Sequence, residues 1–166
     1  MWGVALVVVA LVIAFSVVLL VTRSRGDVRP PIAGVPCERI ERLEYHVHAH
    51  VTLFVEGQEV SVAASIGITR TCIYWLHTHA ADGIIHVEAP APRQFVLSQF
   101  FSVWGQPLSA TALLDKTVSP GHEIRTFVNG QPFDGDPTQI SLDDKTSIVL
   151  EYGPPFVPPP PSPFGQ

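Results

Sequence analysis

The sequence predicts an α+β fold, a β-rich roll or sandwich of hairpins with one short helix, preceded by one transmembrane helix. Three observations carry that expectation. Apolar and polar residues alternate over several short segments, the pattern of strands with one buried face. Turn dipeptides, Asp82-Gly83 and Asn129-Gly130, separate such segments. One stretch, Phe95 to Trp104 (FVLSQFFSVW), has apolar residues at helical spacing instead and ends at Gly105.

Taken in order, Trp2 to Val21 contains neither charge nor proline. About twenty such residues cross a bilayer as a helix, and the polar stripe of a core helix is missing. A cleaved signal peptide is the alternative, but a charged leading region and a small-residue cleavage site are both absent. Residues 1–22 therefore read as a transmembrane anchor, 23–36 as a linker, 37–153 as the folded domain and 154–166 as a proline-rich disordered tail. That tail holds seven prolines, a composition that favours polyproline II or disorder over core packing.

The side of the membrane is argued from two features that disagree. Arg23, Arg25 and Arg29 follow the apolar stretch, which by the positive-inside rule puts the domain in the cytoplasm. Cys37 and Cys72 form a lone pair, which is either a disulfide made in an oxidising compartment or two thiolates available to a metal. The expectation is a single-pass membrane protein with an extracytoplasmic domain.

Within residues 37–153, Val47, Ala49, Val51, Leu53 and Val55 alternate with His46, His48, His50, Thr52 and Phe54. After a turn at Glu56-Gly57-Gln58 the apolar alternation continues through Val60, Val62, Ala64 and Ile66. This predicts a hairpin whose non-core face carries His46, His48 and His50. Cys72 to Leu76 and Ile84 to Glu88 read as two strands around Asp82-Gly83. His122 to Val128 and the residues from Gln131 flank Asn129-Gly130, and Thr146 to Tyr152 is a final strand.

Six of the seven histidines lie in the two segments Tyr45 to His50 and Trp75 to His86. A two-residue turn at Asp82-Gly83 would oppose His79 to His86 and His77 to Glu88, gathering His77, His79, His86 and Glu88 into one patch. A four-residue loop would oppose His77 to His86 and keep the patch, whereas a three-residue loop would break it. Three imidazoles and a carboxylate suit Zn²⁺, Cu²⁺ or non-haem Fe²⁺. His46, His48 and His50 would complete that site or form a second one. The expected ligand is a copper or zinc ion. Met1 is the sole methionine, which argues against a methionine-rich Cu(I) shuttle. Glu44 and Asp82 are the other acidic residues expected nearby, and His122 stands apart. The competing reading is a hydrogen-bonded histidine network that orders a sheet surface.

The blocks Trp75-Leu76-His77-Thr78-His79 and Gly83-Ile84-Ile85-His86-Val87-Glu88, with Tyr45 to His50 and Phe100 to Gly105, resemble a family of small prokaryotic proteins. Its members are often membrane-anchored and have no assigned function. The resemblance covers most of residues 37–153 and implies a domain of that extent, but no activity. In the family an Asp commonly follows the HTH triplet, where this chain has Ala80 and places Asp82 two residues later. A looser similarity to cupins rests on His48-Ala49-His50 with Glu56-Gly57 downstream.

The net charge of −5, with basic residues scattered singly, argues against nucleic-acid binding. The expected partners are a membrane and a divalent metal ion, with no protein partner specified. The leading functional expectation is a membrane-tethered, non-catalytic protein that binds copper or zinc. The alternatives are a non-catalytic interaction module at the membrane and a mononuclear metal-dependent enzyme with a cupin-like site. The enzyme would need a general base from Glu88, Glu44 or Asp82, and no nucleophile motif such as G-x-S-x-G is present.

Overall fold

The computed structural model describes residues 29–165, to which every structural statement here refers. The strands are β1 (Cys37–Glu38), β2 (Tyr45–Val55), β3 (Gln58–Val60), β4 (Ile73–Tyr74), β5 (Leu76–His77) and β6 (Ile84–Ala89). After the helix α1 (Leu97–Trp104) come β7 (Leu108–Ser109), β8 (Ala112–Leu113), β9 (Lys116–Thr117), β10 (Glu123–Val128), β11 (Gln131–Pro132) and β12 (Ser147–Gly153). The fold is thus β-rich with one short helix.

Its centre is a seven-stranded sheet in the order β11-β10-β12-β2-β6-β5, with β3 pairing β2. The alternation read from β2 holds: Ala49, Val51 and Leu53 are buried on the core face. There they meet Ile85 and Val87 of β6, Leu76 of β5, and Leu97, Phe100 and Phe101 of α1. The helix begins where the Val96 amide donates to Gln99 Oε1 at 3.0 Å. It ends at Gly105, whose φ of +77° is the left-handed conformation that closes a helix. Glu56-Gly57 and Asn129-Gly130 are two-residue turns with positive φ at both positions, the geometry that matches strand twist.

Several expectations need correction. The sheet is not built of hairpins alone, because β12 pairs parallel with β2, from Ser147↔His50 to Tyr152↔Val55. Parallel neighbours cannot be joined by a tight turn. All seven residues of β12 are buried, so the strand needs cover on both faces and takes a central place. The expected transmembrane helix is not met either. No helix among the described residues is long and apolar enough to cross a membrane, and the stretch that carried the expectation, 1–22, lies outside them. The first hairpin is shorter than its apolar alternation, since pairing stops at Val60 while Val62 and Ile66 are buried beyond the ladder.

The second face of the sheet is divided between two coverings. Register places Thr52, Val149 and Glu151 on the same side as His50, and all three are buried. The tail after β12 lies along this side. Phe156 sits 3.7 Å beneath the Arg125 guanidinium, and the Phe164 ring meets His50 edge-on at 6.5 Å. What the tail leaves open is the part that carries the remaining histidines.

Candidate metal centre

Neighbouring strands bring the two histidine segments together. The β2–β6 register opposes His46 to Glu88 and His48 to His86, and the β5–β6 register opposes His77 to His86. Opposed residues share a face, so His48, His86 and His77 form one row across three strands, with His46 and Glu88 in the next. Of the expected registers, the one that opposes His77 to His86 is found, not the one that opposes His79 to His86, although the connection runs over residues 78–83 and not over four residues.

Contacts remote in sequence decide that register. The buried Thr78 hydroxyl donates to the Ala63 carbonyl at 2.8 Å and accepts from the Ile66 amide at 3.1 Å, while the Thr78 amide donates to the Ile66 carbonyl. With Thr78 held inward, its neighbours His77 and His79 turn to the opposite side. Gly83 is hydrogen-bonded through its carbonyl to the Val51 amide, and a Cβ there would collide with the Val51 carbonyl. Gly67 packs as closely behind His77, where a Cβ would strike the Leu76 carbonyl.

The polar atoms converge on Glu88 Oε1. It lies 3.3 Å from His46 Nε2, 3.7 Å from His86 Nδ1 and 3.8 Å from His77 Nε2. His77 Nε2 is 3.3 Å from His79 Nε2, and His46 Nε2 is 3.3 Å from His86 Nδ1. Ligands bonded tetrahedrally to zinc at ~2.0–2.1 Å are roughly 3.3–3.4 Å apart, so these separations approach those of a coordinated set. Two groups could hold a metal ion: His77, His79, His86 and Glu88, and His46, His48 and His86, with the ligand atoms of each within 4.8 Å of one another. His77 and Glu88 form the buried floor, and His79 is 46 % exposed at the rim.

Burial sets the electrostatics. It pushes His77 down to about 4, against the opposing pull of its hydrogen bond to Tyr74. It pushes His86 down to about 4 as well, helped by His48, His77, His79 and His46. His48 is lowered by burial and by His46. Glu88 is raised to about 7, by burial first and then by Glu41. The Arg42 backbone favours the charged form of this carboxylate but does not offset its burial, which costs free energy unless a cation or proton meets it. Such a floor holds neutral imidazoles, the form that ligates metals.

Two acidic residues expected nearby serve elsewhere. Asp82 Oδ1 accepts from the Ile84 amide at 3.0 Å, and Glu44 is exposed beside Arg42. His50 is also set apart: its Nε2 donates to the Asp82 carbonyl at 3.0 Å, bracing the loop before β6. The residue that sequence reasoning missed is Glu41, whose Oε1 lies 3.4 Å from His79 Nε2 and 3.9 Å from His77 Nε2. It belongs to the irregular segment between β1 and β2. The Cys37–Cys72 disulfide and the β1–β4 pairing fasten the start of that segment beside β5, and Arg42 pairs with Glu38 on it. The only available signal was that disulfide, which joins the segment to the strands carrying His77.

Compared with models of protein families, with curated proteins and with solved structures, the chain matches none.

Proposed function

We propose that this chain binds a divalent copper or zinc ion, held by His77, His79, His86 and Glu88, and that it stores or presents the ion without catalysing a reaction on it. The observation that carries the reading is the convergence of four ligand atoms within 4.8 Å around a buried carboxylate. Four protein ligands would close a tetrahedral shell, as structural sites do, whereas catalytic sites keep a position open. The hydrogen bond from His77 Nδ1 to the Tyr74 carbonyl supports it, because it leaves Nε2 free and aimed at the cluster. The Cys37–Cys72 disulfide favours an oxidising, extracytoplasmic setting for the domain.

Isothermal titration of the full chain with Cu²⁺ and with Zn²⁺ tests this, comparing wild type with the His77→Ala/His79→Ala double variant. The expected result is a loss of affinity of at least about a hundredfold in the variant. Equal affinities would sink the reading.

A further inference from the structure

His86 belongs to both groups that could hold an ion, so the two cannot be filled together as they stand. Glu41 resolves the conflict. Its Oε1 lies 3.4 Å from His79 Nε2 and 3.9 Å from His77 Nε2, and those two nitrogens are 3.3 Å apart. Glu41, His77 and His79 therefore make a triad without His86. On the other side, His46 Nε2, His86 Nδ1 and Glu88 Oε1 make a second triad, with separations of 3.3, 3.3 and 3.7 Å. His48 adjoins that triad, its ring centroid 4.5 Å from that of His86. Glu88 Oε1 joins the two sets through its 3.8 Å approach to His77 Nε2.

From this geometry we infer that the centre takes two divalent ions, with Glu88 bridging them. One ion is held by His46, His48, His86 and Glu88, the other by His77, His79, Glu41 and Glu88. The inference rests on the metal-binding reading above, but gives His86 to a second ion and puts Glu41 in its place at the first. A carboxylate that bridges two ions uses both oxygens; Glu88 Oε1 faces His46, His86 and His77, and Oε2 is buried beside it. Each ion then has four protein ligands, including at least two imidazoles, a donor set suited to Zn²⁺ or Cu²⁺.

The test is the metal content of the full chain after loading with Zn²⁺ or Cu²⁺ and removal of loosely bound ion. Wild type is expected to retain two ions per chain, and Glu41→Gln and His48→Ala one each, with unchanged far-ultraviolet circular dichroism. Ions in two-metal sites lie about 3.5–4 Å apart, so the doubly loaded copper form should show a spin count below two per chain. One ion in wild type overturns the inference and leaves the single-ion reading standing, while no bound ion removes both. Two ions still bound by Glu41→Gln, or two magnetically independent Cu²⁺ ions in wild type, would also overturn it.

Discussion

His77 Nδ1 donates to the carbonyl of Tyr74 at 2.9 Å, three residues back along the same strand region. This bond fixes the tautomer of a fully buried ring and points the Nε2 lone pair at His79 and Glu88. His50 makes the same kind of bond with the opposite consequence, because its Nε2 is occupied by the Asp82 carbonyl. One ring is oriented to bind and the other to brace. Substitution should separate the two roles. His79→Ala, at the exposed rim, is expected to weaken ion binding by about 10–100-fold and to leave the melting temperature of the metal-free chain within a degree or two. His50→Ala should lower that melting temperature by several degrees and change ion affinity less than about threefold. Calorimetric titration and thermal unfolding on both variants check the pair. A loss of affinity in His50→Ala equal to that in His79→Ala would contradict the division.

Ion binding should displace a proton from a carboxyl group. Burial raises Glu88 to about 7 and pushes His77 and His86 down to about 4. At pH 6 those two rings are already neutral, while the Glu88 carboxyl is mostly protonated. At this centre the Glu88 carboxyl is therefore a group that acid keeps from the ion, alongside the imidazoles. Titrations in two buffers of different ionisation enthalpy should show Glu88→Gln releasing fewer protons per ion than wild type at pH 6. The difference should shrink by pH 8. Equal release at pH 6 would mean that Glu88 stays clear of the ion.

The same groups govern the metal-free chain, with opposing signs. His77 and His86 have folded values below their ordinary 6.5. The unfolded chain therefore binds more protons between about pH 4 and 6.5, and stability is lost as pH falls through that window, by about 3 kcal/mol per ring. Glu88 has a folded value above its ordinary 4.5. For it the folded chain holds the extra proton, and about 3 kcal/mol is lost as pH rises from about 4.5 to 7. The rings and the carboxyl thus pull stability in opposite directions between pH 4 and 7. Glu88→Gln deletes the opposing contribution, and its gain over the same range should exceed that of wild type. Urea unfolding at pH 4, 5, 6 and 7 measures both slopes, and parallel slopes would refute the assignment.

Much of this centre was legible in the sequence because its parts are periodic. The H-x-H-x-H and H-x-H spacings fixed which side chains share a face of each strand, and the patch of His77, His79, His86 and Glu88 followed from local pairing around Asp82-Gly83. The choice among turn geometries was not legible, because Thr78 reaches back to Ala63 and Ile66, and Gly83 to Val51. The union of His46 and His48 with that patch depends on β6 lying between β2 and β5, a pairing across some forty residues that no local pattern encodes. Glu41 has no periodic context at all. The parallel seat of β12 was hidden for a related reason: TSIVLEY reads as a strand, but its neighbour is chosen by the whole core.

Thr78 ties the histidine pair to the body of the domain, and its hydroxyl should be indispensable where its methyl is not. The hydroxyl satisfies the Ala63 carbonyl and the Ile66 amide together, in a position with no solvent access. Thr78→Val keeps the shape and orphans both groups, at an expected cost of about 2–4 kcal/mol. Thr78→Ser keeps the bonds and loses only a methyl, at about 1 kcal/mol. If the inward grip of Thr78 is what turns His77 and His79 to the same side, Thr78→Val should also weaken ion binding by at least about tenfold while Thr78→Ser binds nearly as wild type does. Chemical unfolding and calorimetric titration on the two variants decide it. A Thr78→Val chain that loses stability but keeps full affinity would show that the histidines are positioned by the strand pairing of β5 with β6 alone.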